Sequence, residues 1–454
     1  METLGTLLPS VKVAPPGPVS RSMAQRLSAV ETRNVTFVSE DVPVFWEEAR
    51  GANVRDPDGN IFLDLSGAFG VAIAGHSHPA VVDRISAQAG QLVHGMGDIQ
   101  PPSAKLELLE ALIGLAPWAD ARATLASTGS EAVEIALKTA LLASGRSGIV
   151  AFEGSYHGLT VGSLAATSRS HFRGPFSERL YPGVAFAPFP DPRVEGQADR
   201  SLEIVEDLLS RGTPTGDAVG CVIVEPIQGR GGVRIPPPGF LGRLANLTAS
   251  FEAILVFDEI FTGFGRTGTL FALQHEGVLP DVVCLGKTMA GGLPLSACVG
   301  ARAVMDAWPP SDGEAIHTST FLGHPLACAS ALAFMEVLEE ERLVERASSL
   351  GESLLLELRA ELEGVPWVAE VRGRGLLVGI ELADPAGDGP WREGAATVAV
   401  AALREGVIVL PAGELGEVVE LAPPAVLTEE QAGWAVKTLA RVIREVCPVT
   451  RTCA

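Results

Sequence analysis

The sequence predicts an α/β protein, with a large domain whose mostly parallel sheet is flanked by helices and a small α+β domain beside it. Two observations carry that expectation. Between about residues 75 and 325, apolar runs of strand length (148–152, 219–225, 254–258, 282–285 and 297–299) alternate with helical patterns, an order that puts helices on both faces of a parallel sheet. After Pro325 the order changes to two long helices, strands at 376–382 and 418–421, and a terminal helix from Glu429. The expected divisions are 1–74 for an N-terminal arm and part of the small domain, 75–330 for the large domain and 331–454 for the C-terminal small domain.

Composition narrows the function classes. The 454 residues are 47% hydrophobic, enough for a sizeable core. A formal charge of −21 repels polyanions and argues against nucleic acid or an anionic membrane surface as partner. Cysteines at 221, 284, 298, 328, 447 and 453 include no CxxC pair. The first four read as small core residues of a reducing compartment, while Cys447 and Cys453 are near enough in sequence to bridge. No signal peptide and no membrane-length apolar run is apparent, so a cytoplasmic location is expected.

Taken in order, Pro15, Pro16, Gly17 and Pro18 mark an irregular arm of the kind that packs on a partner subunit, and a helix is expected over 20–31. Residues 44–65 read as strand, turn, strand, with Asp58-Gly59 as the turn. At Ser127-Thr128-Gly129-Ser130-Glu131 a loop enters a helix. Thr128 and Glu131 form a capping box, which leaves Gly129 and Ser130 in a first turn suited to a phosphate. Gly154-Ser155-Tyr156-His157-Gly158 follows a strand end, where a tyrosine between glycines can lie on a planar ring. His76 and His78 have no accompanying ligand cluster, so no metal is expected.

The most telling residues are Lys287 and Asp258. Only five lysines occur in the chain, and Lys287 stands just beyond the run 282–285, while 254–257 ends in Asp258. Both are expected at the carboxyl edge of one parallel sheet, where ligands bind. A desolvated amine there can act as a nucleophile and form a Schiff base. An aspartate beside it suits a carbonyl cofactor with a basic ring nitrogen, as pyridoxal 5'-phosphate has. The same pair also fits a structural ion pair. Two nucleotide readings fail: Gly286-Lys287-Thr288 lacks the glycine of a P-loop five residues earlier, where Asp281 stands, and Gly373-Arg374-Gly375 precedes a strand instead of following one.

The segment 256–268 (VFDEIFTGFGRTG), with the lysine 29 residues after Asp258, resembles the signature of class III pyridoxal-phosphate-dependent aminotransferases, of fold type I. Glu225-Pro226-Ile227-Gln228-Gly229, Ser319-Thr320-Phe321 before Pro325, and Val371-Arg372-Gly373-Arg374-Gly375 are similar to further blocks of that family in the same order. The resemblance implies that Lys287 joins the cofactor as an aldimine and later moves the substrate proton, while Asp258 keeps the ring nitrogen protonated. It further implies Tyr156 on one ring face, Ile260 on the other, and Gly129, Ser130 and a neighbouring subunit's Thr320 on the phosphate. Arg372 is similar to the family's arginine for the substrate carboxylate, and Glu225 to the acid that pairs with it when that carboxylate is absent.

The implied reaction moves an amino group from an amino acid, omega-amino compound or diamine to a 2-oxo acid, pyruvate or 2-oxoglutarate, in a ping-pong cycle of a homodimer with active sites at its interface. Racemisation or epimerisation of an amino acid, or an aminomutase reaction, is the alternative on the same scaffold. A relative that has lost catalysis would not be expected to keep Lys287, Asp258 and Thr320. The chain departs from the family at Leu159, where an arginine for a distal carboxylate is common, at Phe261 in place of a glutamine, and at His324 in place of an asparagine. Leu159 shifts the expected donors from glutamate-like compounds toward smaller or more apolar amino compounds and diamines.

Overall fold

The structure, a computed structural model, describes residues 4–387 and 389–446. The chain forms two compact units, Met1–His78 with Glu345–Ala454, and Pro79–Val344. Cys447 and Cys453 lie outside the described residues.

The unit Pro79–Val344 is built on a seven-stranded sheet. Its order across the sheet is Ala121–Ala126, Ser296–Ala301, Val282–Leu285, Ile254–Asp258, Val219–Val224, Gly148–Phe152 and Val184–Ala187. Every adjacent pair is parallel except the two made by Ser296–Ala301, which runs against both of its neighbours. All five expected strands of this region are present, and two more, Ala121–Ala126 and Val184–Ala187, close the two edges. The helix Pro325–Glu340 belongs to this unit and packs on the helices Pro79–Gln91 and Ser103–Leu115.

Side-chain alternation along these strands sets the two faces. Ala151, Cys221, Ile223, Val256, Val282, Cys284 and Cys298 point to one face, where they pack on Ala132, Val133, Ile135, Ala136 and Ala140 of the helix Gly129–Ser144. Three alanines on that helix stripe let it approach the sheet closely. Phe152 points the other way, meeting Phe189 and Phe240 edge to face at 6.1 and 6.0 Å. Because the period is two, Glu225 follows Cys221 and Ile223, and Asp258 follows Val256, so both acids leave the sheet on the side covered by Gly129–Ser144.

The other unit holds two four-stranded sheets. Val368–Arg374, Leu377–Leu382, Val418–Leu421 and Leu410–Ala412 are antiparallel. Glu48–Arg50, Asn53–Arg55 and Ile61–Asp64 form the expected antiparallel segment around Asp58-Gly59, joined in parallel by Val407–Ile408. The expected N-terminal helix spans Pro18–Val30. The arm before it is tied down by polar side chains: Asn53 Oδ1 accepts from the Gly5 and Leu7 N–H groups, each at 2.9 Å. His76 is held by Asp64, Nε2 to Oδ2 at 2.8 Å.

Phe152 is fully buried among two aromatic rings, so Phe152→Ala is expected to cost about 3–5 kcal/mol, read as a lower urea midpoint. A loss below about 1 kcal/mol would contradict the packing described.

Candidate active site

At the carboxyl edge of the seven-stranded sheet lies a cavity of about 210 Å³ lined by Thr128, Gly129, Ser130, Tyr156, His157, Gly158, Glu225, Arg230, Asp258, Ile260, Phe261 and Lys287. Seven sequence-predicted site residues meet here, Gly129, Ser130, Tyr156, Glu225, Asp258, Ile260 and Lys287, on or next to strand ends and helix starts. Thr320 does not line it; it is exposed in the turn before the helix Pro325–Glu340. Arg372 lies in the other unit, on Val368–Arg374, where its guanidinium is paired with Glu370 at 2.7 Å and with Glu381.

One wall is the N-terminus of Gly129–Ser144. The capping box is complete, with Thr128 accepting from the Glu131 N–H and Glu131 accepting from the Thr128 N–H. That uses the cap and leaves the first-turn N–H groups of Gly129 and Ser130 to a ligand. A Cβ at 129 would come within 3.0 Å of the Ile260 side chain, which would have to give way. Ser130 Oγ accepts from the Leu159 N–H at 3.0 Å, which keeps its own proton available to a second acceptor. Leu159 itself points outward, about half exposed.

The opposite wall carries the acids. Asp258 is buried, yet both its oxygens are engaged: Oδ2 with His157 Nδ1 at 2.8 Å and Oδ1 with the Ile260 N–H at 3.0 Å. Glu225 Oε1 accepts from the Tyr156 N–H at 2.9 Å and Oε2 from the Gly229 N–H at 3.2 Å. Burial pushes the Glu225 carboxyl up to about 7, with His157 and the two backbone donors opposing and Asp258 reinforcing the rise. Burial likewise raises the Tyr156 phenol, against the pull of Arg230 and Arg169.

Lys287 enters between the walls. Its φ of 46° is left-handed, a conformation that costs a non-glycine residue about 1–3 kcal/mol. The Nζ sits 3.7 Å from the centre of the Phe261 ring, so the residue found in place of a glutamine presents a π face to the amine. His324, the other departure, is grouped with the rings of His94 and Phe321, each 6.0 Å away.

His157 and Arg230 carry no role in the sequence reading, although one sits inside a block it singled out and the other directly follows one. Their signal was adjacency: His157 follows the expected stacking tyrosine, and Arg230 follows the Glu225–Gly229 block. Among the described residues no group of three or more potential metal ligands occurs, and no helix is long and apolar enough to cross a membrane.

A lysine, a clamped aspartate and a free helix N-terminus around one cavity define a fold type I pyridoxal-phosphate enzyme. The donor set fits that cofactor: N–H groups and a hydroxyl for the phosphate, a carboxylate for the ring nitrogen, an amine for the aldehyde. The chain belongs to the class III aminotransferases, for the family model described as "Aminotransferase class-III" matches residues 36–443. It is similar to 4-aminobutyrate aminotransferase of Mycobacterium leprae, 33% identical over 441 residues, covering 94% of this chain and 96% of the relative. It is 38% identical over 402 residues to acetylornithine aminotransferase of Methanopyrus kandleri, covering 88% and 95%. Among solved structures, the ornithine aminotransferase of Toxoplasma gondii superposes with a TM-score of 0.82 at 30% identity, covering 93% of this chain and 94% of that one. The protein is therefore an aminotransferase that uses pyridoxal 5'-phosphate.

Folding raises the Glu225 pKa from 4.5 to about 7. Between those values the native state keeps a proton that the unfolded chain has released, so stability falls as pH rises through that window. Glu259, pushed up to about 7 by burial against its bonds from Thr262, Leu273 and Ala272, acts in the same sense. The thermal midpoint should decline between about pH 5 and 8, and less steeply in Glu225→Gln. An unchanged slope in that variant would contradict a neutral buried acid at 225.

Proposed function

We propose that the cavity catalyses transfer of an amino group from an omega-amino compound, a diamine or an apolar amino acid to pyruvate or 2-oxoglutarate. The observation that carries this reading is the convergence of Lys287, Asp258, Gly129 and Ser130 on one cavity of about 210 Å³. Bound pyridoxal phosphate supplies an electron-withdrawing ring conjugated to the carbon that receives the substrate nitrogen.

Lys287 would hold the cofactor through Nζ and, as a free amine, would carry the proton away from the substrate carbon. Asp258, steadied by His157 and the Ile260 N–H, would hold a proton on the ring nitrogen. Tyr156 and Ile260 would confine the ring, and Gly129 and Ser130 would donate to the phosphate. Glu225 sits beside Tyr156 as an acid near its titration point at neutral pH, able to hold or accept a proton as substrates of different charge enter.

Arg372, the expected arginine for a substrate carboxylate, already has Glu370 and Glu381 as counter-ions. A substrate carboxylate would have to compete with both.

The donors named for the relatives, 4-aminobutyrate, acetylornithine and ornithine, all carry a terminal amine or its derivative, which supports an omega-amino donor. Homodimerisation is part of the proposal: Thr320 is exposed and has Ile316 and Phe321 nearby in the same loop, with 71% and 57% of their surfaces open, apolar exposure of the kind an interface covers. A second subunit there would let Thr320 reach a phosphate across the interface. A cytoplasmic location fits the four buried free thiols Cys221, Cys284, Cys298 and Cys328.

With a single chiral donor and no oxo acid, the loaded protein should release one equivalent of carbonyl product and leave the remaining donor optically pure. Lys287→Ala should release none, and borohydride reduction should fix the cofactor to Lys287 in the parent protein only. Loss of chirality without carbonyl product would replace transamination by racemisation.

A further inference from the structure

Phe261 stands where the cavity wall meets the lysine. Lys287 Nζ lies over the ring, 3.7 Å from its centre, and the phenylalanine is only 6% exposed. Both partners hang from fixed roots. Phe261 sits in the turn after Asp258, where the Gly263 N–H donates to the Glu259 carbonyl at 2.9 Å and Thr262 Oγ1 donates to Glu259 Oε2 at 2.7 Å. The Glu259 N–H donates in turn to the Cys284 carbonyl at 2.9 Å, three residues before Lys287. Lys287 opens a closed turn of its own, in which the Met289 N–H donates to the Gly286 carbonyl at 3.1 Å.

The ring is also confined by Gly229. A Cβ at 229 would come within 2.0 Å of Phe261 Cδ1, so ring and glycine backbone are already in contact. Gly229 cannot easily yield: its N–H donates to Glu225 Oε2 at 3.2 Å, and its carbonyl accepts from the Gly232 and Val233 N–H groups at 2.8 and 3.0 Å in the turn that has Arg230 at its tip. The position of the ring beside the amine is therefore set by the fold.

A ring face distinguishes the two forms of that amine. Its π electrons attract an ammonium and do little for a neutral amine, and the attraction is larger where water is excluded. A glutamine, the residue that Phe261 replaces, carries both a donor and an acceptor and can bond to either form.

We propose that Phe261 is a positioning residue for proton transfer, its face holding Lys287 in the ammonium form that the lysine takes on receiving the proton of the substrate carbon. In that step the substrate C–H bond breaks, its electron pair stays with the carbon, and the proton makes a third N–H bond with the lone pair of Nζ. The positive charge grows over the ring as the proton arrives. Stabilisation is thus greater late in the step than before it, the condition for lowering its barrier. The assignment rests on the aminotransferase reading of the cavity. The same cavity holds the titratable groups of Tyr156, His157, Glu225, Arg230 and Asp258, whose charges a change confined to the ring electrons leaves in place.

The test replaces Phe261 by phenylalanines carrying one, two and three ring fluorines, which weaken the negative face stepwise at nearly constant shape, beside Phe261→Leu. In the cofactor-free full chain, nitrogen NMR of the lysine amines follows the pH at which Lys287 Nζ loses its proton; the chain has five lysines, and Lys287→Ala identifies the signal. Proton affinity should fall with each fluorine, by about threefold to thirtyfold across the series, and Phe261→Leu should fall at least as far. In the cofactor-loaded protein, single-turnover conversion of a donor should slow in the same order, by about threefold or more, with a deuterium isotope effect at the reacting carbon no smaller than in the parent. A titration that ignores fluorine overturns the contact, and so does a Phe261→Leu protein that titrates as the parent does. A fluorine-dependent titration with unchanged turnover, or slowed turnover with a smaller isotope effect, overturns the role in proton transfer. A fluorine-dependent titration in a protein that converts no donor would overturn the aminotransferase reading and leave the contact of amine and ring standing.

Discussion

Two carboxyl groups taken out of water at the edge of a parallel sheet organise this molecule's working end. A buried acid needs donors, and each of the two finds them in a loop that the cavity requires. Asp258 takes a ring N–H from His157 and the backbone N–H of Ile260; Glu225 takes the N–H groups of Tyr156 and Gly229. The loops bearing the proposed stacking tyrosine, the isoleucine opposite it and the turn that presents Arg230 are therefore all tied to acids at strand ends. Desolvation of Asp258 and Glu225 fixes the cavity's shape before any ligand enters.

Much of this was legible in the chain itself. Period-two spacing places Glu225 after Cys221 and Ile223, and Asp258 after Val256, so both acids must leave the same face as the Gly129–Ser144 helix. The capping box expected at Thr128 and Glu131 is present, with Thr128 as the N-cap of that helix. The edge strand Ala121–Ala126 escaped notice because its alanines, arginine and threonine make no apolar run, and its strand character comes from pairing with Ser296–Ala301. Val184–Ala187 is too short to stand out beside the turn-rich segments around it. His157 and Arg230 were hidden for another reason: a contact 101 residues away in sequence, or a position on a turn tip, leaves no period to read. The counter-ions of Arg372 were hidden likewise, since Glu370 and Glu381 face each other only once the strand register is known.

The charges in the cavity divide the labour. Amine and aspartate line one cavity with a helix N-terminus suited to an anion and with the Arg230 cation. Burial has brought the Glu225 carboxyl up to about 7, beside the N–H of Tyr156 that it accepts from. Phe261 beneath the Lys287 amine makes that part of the wall apolar.

The claim on which the account turns is that Asp258 keeps the cofactor's ring nitrogen protonated. Nitrogen NMR of the protein loaded with cofactor labelled at that atom tests it most directly. The account predicts a pyridinium shift that persists across the pH range of stability and becomes that of a neutral pyridine in Asp258→Asn; a neutral ring nitrogen in the unaltered protein would contradict it.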